Sequence, residues 1–187
     1  NIWPIPYGVS YNSYLIRDEK CVLLDTVEFG CEGAYLDRIG EILEGRELDY
    51  LVVNHMEPDH SGEVGNVLRR YPAAKLIGNA MTRKILLGYL GDLGDRFVEV
   101  KDGDSLSLGN HTLHFYMTPW VHWPETMMTY ESTEKILFSA DAFGTFGATD
   151  GAMTDELTDL AEYKEEMRRY YSNIVGKYGG MVQKALA

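Results

Sequence analysis

The stretch that decides the reading is "NHMEPDHSG", Asn54 to Gly62. Four side chains able to hold a metal or a proton, His55, Glu57, Asp59 and His60, fall within six positions. Crowded carboxylates repel one another and each loses water, so a chain keeps such groups apart unless something offsets the cost. The segment follows a short apolar strand, Leu48 to Val53, and leads into a helix over Glu63 to Tyr71 that Pro72 stops. In an extended segment alternate side chains point the same way, which turns His55, Glu57 and Asp59 toward one point. His60 breaks the alternation, and a turn over Pro58 to Gly62 brings it to a second point nearby. Two adjacent metal ions suit that pattern better than one. Their charge lets neighbouring carboxylates stay ionised and keeps each imidazole a neutral ligand.

Two more candidates lie downstream. "TPWVHWPET" places His122 in a loop after an apolar strand, and "ILFSADAFG" places Asp141 directly after another. Both sit where strands end, as the first cluster does, and loops at strand ends are where chemistry is carried. Trp120, Trp123, Phe143 and Phe146 flank these ligands and are read as core packing that also walls water out of the centre. His111 and His114, in "NHTLHF", are three apart and so on opposite faces of a strand. They are read as ordinary surface or hydrogen-bonding residues.

Further out, Tyr11 to Ile16 and Cys21 to Asp25 read as strands joined by the turn "RDEK". Gly33 to Leu43 and Met81 to Tyr89 read as helices, with strand Lys75 to Gly78 before the second. Five short strands follow: Phe97 to Val100, Ser105 to Leu108, Thr112 to Met117, Thr126 to Glu131 and Lys135 to Ser139, separated by turn residues. From Thr154 the chain reads as helical to its end. Alternating strands and helices, then a meander, then a closing helix fit a sheet sandwich covered by helices better than a parallel sheet. No repeat or linker divides the chain.

With those residues in view, the chain resembles the metallo-β-lactamase superfamily and, more narrowly, the diiron domain of flavodiiron proteins. The superfamily's usual motif is H-x-H-x-D-H; Glu57 stands at the second His, and H-x-E-x-D-H is the flavodiiron form. The likeness extends to "YNSYLI" (Tyr11 to Ile16), "LLDTV" (Leu23 to Val27), "WVHWPETM" (Trp120 to Met127) and "SADAFGTFG" (Ser139 to Gly147). Sixty-one residues separate His60 from His122, and eighteen separate His122 from Asp141, as that family leads one to expect. The resemblance implies an α+β fold, the metallo-β-lactamase-like four-layer αββα sandwich, over residues 1–187. It also implies that His55, Glu57 and His122 hold one iron, that Asp59 and His60 hold the other, and that Asp141 bridges them. Two Fe are the implied cofactors, with reduction of O2 to water or NO to N2O as the activity.

The family pattern also has parts that are not found here. No His follows His122, whereas the family supplies one more to the second iron. No phosphate loop of a flavodoxin-like domain is visible, since Gly176, Gly179 and Gly180 lie in a helical tail. The expectation is therefore a diiron domain truncated at both ends, with FMN implied for the full-length protein but not bound by this chain. Such a chain by itself is expected to show little reductase activity. The resemblance further implies a head-to-tail homodimer and a rubredoxin-like or flavoprotein electron donor.

Composition sets bounds on partners. The 187 residues carry 45% hydrophobic and 25% charged side chains and a formal net charge of −12. That balance argues against nucleic acid or an anionic membrane surface, both of which attract Lys and Arg. No apolar run is long enough to span a bilayer. Two cysteines do not make a disulfide framework, and free thiols point to a cytoplasmic location. Two other functions remain. One is a zinc hydrolase of the wider superfamily, which a metal-bound hydroxide would serve; Glu57 speaks against it, because an oxygen donor makes the site harder and shifts preference toward iron or manganese. The other is an inactive binding module, against which all six matching ligand positions are filled.

Overall fold

The computed structural model describes residues 5–148, 161 and 163–187. Strands β1 (Tyr14–Arg17) and β2 (Cys21–Leu24) form an antiparallel hairpin. From there β3 (Tyr50–Val52), β4 (Lys75–Gly78) and β5 (Phe97–Glu99) add in order, each parallel to its neighbour. Helices α1 (Glu32–Leu43), α3 (Val64–Arg70) and α4 (Ala80–Tyr89) make the crossovers that parallel pairing requires, and the four-residue α2 (Pro58–Ser61) lies between β3 and α3. The second sheet is an antiparallel meander of β6 (Ser105–Ser107), β7 (Thr112–Met117), β8 (Met127–Glu131) and β9 (Ile136–Phe138).

Side-chain alternation explains why these strands read as unbroken apolar runs. Cys21, Leu23, Leu51 and Leu76 point to one face of the first sheet and pack on Ile39 and Leu43 of α1, Val64, Val67 and Leu68 of α3, and Leu86 of α4. Val22, Leu24, Val52 and Ile77 point to the other face and meet Leu113, Phe115, Met127 and Phe138 of the second sheet. A strand buried on both faces has no polar positions to alternate. Val121, Met128 and Ala142 pack with Val175 and Val182 of the C-terminal helices on the outside of the second sheet. The layers are thus helix, sheet, sheet, helix.

Two expectations need correction. The closing helix is not continuous: α5 (Lys164–Ile174) ends at Val175, a 3-10 turn spans Gly176–Tyr178, and α6 (Gly179–Ala185) follows. Glycine weakens a helix interior by about 1 kcal/mol relative to alanine, and the tail has three between 176 and 180. Residues 154–160 and 162 of the expected helix lie outside the described residues. The turn expected at Pro58 to Gly62 is instead a helical turn with Pro58 at its first position.

Candidate metal centre

All the ligand-type residues arrive at one edge of the sandwich, where strands of both sheets end. Asp25 follows β2, and Asn54, His55 and Glu57 follow β3. Asp59 and His60 sit on α2, His122 lies in the loop between β7 and β8, and Asp141 follows β9. Thr26 secures α2 against the end of β2 by donating from its backbone N and from Oγ1 to the His60 carbonyl, at 2.7 and 3.0 Å. Gly62 is required by close approach. A Cβ there would lie 2.4 Å from the Phe29 nitrogen and 2.7 Å from the Pro58 carbonyl oxygen.

His55, Glu57, His122 and Asp141 form one ligand set, with one donor atom from each within 4.8 Å of the others. Nε2 of His55 is 3.2 Å from Glu57 Oε2, 3.3 Å from His122 Nε2 and 3.2 Å from Asp141 Oδ2. His122 Nε2 is 2.9 Å from Glu57 Oε2 and 3.1 Å from Asp141 Oδ2. Asp59, His60 and Asp141 form a second set. There His60 Nε2 lies 3.1 Å from Asp141 Oδ1. The two oxygens of Asp141 therefore face different sets. Alternation along an extended run does not account for Asp59: Glu57 is extended, but Pro58 starts the helical turn and swings Asp59 over to His60.

The charges are arranged to hold cations. Burial would lower the His55 pKa, but the Asp141, Glu125 and Glu57 carboxylates outweigh it and push it up to about 11. His122 follows the same balance, burial against Asp141 and Glu57, and rises to about 9. Hydrogen bonds from His122 and His55 draw Glu57 down to about 2. Burial raises Asp25 and Asp59. Three imidazoles facing three carboxylates need either protons or metal ions between them. An orphan atom favours metal: Asp59 Oδ1 is buried and has no hydrogen-bond partner. The donor set, imidazole nitrogen mixed with carboxylate oxygen, fits iron or another first-row ion in both positions.

The surroundings hold residues whose roles the sequence did not reveal. Glu125, fully buried, lies with Oε1 2.8 Å from His55 Nδ1 and accepts the Met56 N–H at 2.9 Å. Asp25 accepts the Asn54 N–H at 2.7 Å and stands 3.9 Å from His60 Nδ1. Tyr170, on α5, donates its hydroxyl to Asp141 Oδ1 at 2.6 Å. Burial and the Asp141 charge raise its pKa, so it keeps that proton. Glu125 and Asp25 have a signal in hindsight: each is an acid next to a strand, just before β8 in "WPETM" and just after β2 in "LLDTV". Tyr170 has none, since its helix carries tyrosine at both 170 and 171.

The apolar wall is only half as expected. Trp123 packs edge-on against His55, with ring centroids 5.3 Å apart, and also against His122. Phe146 packs on Tyr170 at 5.1 Å. Trp120, by contrast, is 44% exposed and stacks on Tyr178, and Phe143 is 41% exposed. A cavity of about 530 Å³ opens over the second set, lined among others by Asp59, His60, Asp141, Phe143 and Tyr170. His111 and His114 stand away from the centre, on Asp18 at 2.9 Å and Ser132 at 3.2 Å.

A family model described as "ODP family beta lactamase" matches residues 9–179. The chain is 37% identical over 176 residues to an anaerobic nitric oxide reductase flavorubredoxin from Vibrio vulnificus, covering 94% of this chain and 35% of that protein. It matches the structure of a rubredoxin oxygen:oxidoreductase from Desulfovibrio gigas with a TM-score of 0.90 and 34% identity, over 97% of this chain and 45% of that one. A flavodiiron protein from Giardia intestinalis superimposes with a TM-score of 0.89 and 32% identity, over 96% of this chain and 44% of that one. The chain thus spans about 35 to 45% of the length of such curated relatives.

Proposed function

The chain belongs to the ODP family of β-lactamase-like domains, and from that premise we propose that it is the diiron domain of an oxidoreductase that reduces O2 to water or NO to N2O. The fold is metallo-β-lactamase-like, in keeping with its structural neighbours. The observation that carries the proposal is the pair of ligand sets meeting at Asp141, with Glu57 supplying a carboxylate oxygen to the first. His55, Glu57 and His122 would hold one iron, Asp59 and His60 the other, and Asp141 both.

Two irons so held would each supply one electron, the two that joining two NO into N2O needs and half of the four that reduction of O2 to water needs. The protein's own groups supply positioning and exclude water. Trp123 closes the His55 and His122 side against water. The cavity beside Asp59 and Phe143 leaves room for a diatomic substrate. Tyr170 keeps a proton at its hydroxyl, held against Asp141. Zinc hydrolysis is not favoured, because Glu57 replaces an imidazole and the relatives are named as NO and oxygen reductases.

The relatives are more than twice as long as this chain. We place FMN, in a flavodoxin-like domain, outside residues 1–187, with a rubredoxin-like or flavoprotein donor feeding it and a head-to-tail homodimer bringing flavin to iron. A cytoplasmic location is supported by two unpaired cysteines. Among the described residues no helix is long and apolar enough to cross a membrane.

A single turnover tests the activity without a flavin domain. Iron-loaded protein is reduced, freed of reductant and mixed with NO under argon. Two NO, two electrons from two ferrous ions and two protons give one N2O and one water. About one N2O per two irons is expected. Absence of N2O, together with ester hydrolysis by zinc-loaded protein, contradicts the proposal.

A further inference from the structure

Glu125 is fully buried, yet it is not one of the ligand-set residues. Its Oε1 receives two donors at once, the Nδ1 side of the His55 ring at 2.8 Å and the Met56 backbone N–H at 2.9 Å. Its Oε2 is buried with no hydrogen-bond partner. Among the described residues its one ion-pair partner is His55. Its own backbone is fixed from both sides: Asn79 Nδ2 donates to the Glu125 carbonyl at 2.6 Å, and the neighbouring Met127 N–H bonds to the Asn54 carbonyl at 3.0 Å.

A carboxylate is a costly choice for this place. An amide or hydroxyl oxygen would satisfy the Met56 N–H without burying a charge or stranding an oxygen. What a carboxylate adds is charge beside the imidazole. When Nε2 of His55 binds a cation, positive charge spreads over the ring, and Glu125 lies on the far side to match it.

We propose that Glu125 is a positioning residue of the metal centre. It accepts the Nδ1–H of His55, which fixes the tautomer with Nε2 bare and aims that nitrogen at Glu57, His122 and Asp141. Through Met56 it also clamps the segment after β3 to the loop carrying His122, so ligands from the two sheets stay in register. This inference rests on the reading of the cluster as a metal centre.

Cobalt(II) and zinc(II) are the probes. Cobalt affinity is read from visible absorption in wild type, Glu125→Ala and Glu125→Gln. Losing such a partner typically weakens metal binding about 10–100-fold, and that loss is expected for E125A. E125Q keeps an acceptor oxygen and is expected to recover most of the affinity. In zinc-loaded protein labelled with 15N-histidine, a downfield His55 Nδ1–H resonance is expected in wild type, shifted in E125Q and lost in E125A. A merely structural role would not move that resonance in a folded E125Q protein. Wild-type cobalt affinity in E125A, or an unmoved resonance in E125Q, overturns the assignment and leaves the metal centre standing. If E125A does not fold, the E125Q resonance decides. A wild-type protein that binds no cobalt overturns both.

Discussion

Glu57 and His122, 65 residues apart in the chain, bring Oε2 and Nε2 to 2.9 Å of each other. One follows a strand of the parallel sheet and the other sits in a loop of the antiparallel sheet, so the contact exists only when the sandwich is closed. Glu57 puts a hard oxygen donor where the superfamily's hydrolase motif has a softer imidazole. Glu57→His is therefore expected to shift the metal bound from a mixed supply several-fold from iron toward zinc. Elemental analysis of wild type and variant from the same medium checks this, and an unchanged Fe:Zn ratio counts against Glu57 as the selecting ligand.

Asp141 faces both sets and so couples them. Asp141→Ala is expected to weaken both metals, whereas His60→Ala weakens the second alone. Ligands that bind only the folded state stabilise it by about 2.7 kcal/mol at a hundred times their dissociation constant. Chelation is expected to lower the wild-type melting temperature and to leave that of D141A nearly unchanged. Calorimetry with and without chelator reads the difference.

Gly62→Ala forces a Cβ to within 2.4 Å of the Phe29 nitrogen, a backbone atom that cannot swing aside. Overpacking of this kind costs about 1–3 kcal/mol. The strain falls on the turn carrying Asp59 and His60, so metal affinity at the second set should fall along with stability. Denaturant unfolding and metal titration measure the two effects, and a variant neutral in both would show that the turn relaxes freely.

Much of this was legible in the sequence, for reasons tied to particular residues. The runs at Cys21 to Leu24 and Leu51 to Val53 are apolar throughout because both faces of β2 and β3 are covered. Hydropathy finds such strands easily. The candidate ligands at His55, Glu57, Asp59 and His60 stood out because acidic and imidazole groups are rare beside a buried strand. What stayed hidden depends on tertiary approach. Alternation misplaced Asp59 because Pro58 favours a first helical turn. Nothing local says that Trp120 stacks on Tyr178 while Trp123 packs on two histidines. Tyr170 reaches Asp141 from a helix 29 residues further along the chain.

Asp18, away from the centre, gives a pH signature. Burial would raise its carboxyl pKa, but the ring and backbone N–H of His111, with Asn110 and the Glu19 N–H, hold it well below the usual range. A depressed carboxylate stabilises the fold above its unfolded value, about 3.9, and loses that contribution as pH falls through the folded value. Asp18→Asn is expected to melt below wild type at neutral pH, and the gap should close as pH drops below about 3.9. Melting curves across that range check the sign. A gap that widens in acid contradicts it.

The most direct test of the central claim is metal content, by elemental analysis of protein purified without oxygen and without added metal. Iron is expected as the dominant metal, approaching two per chain, and is expected to be lost in a His55→Ala, Asp141→Ala double variant. Zinc with no iron in the wild-type protein would contradict it.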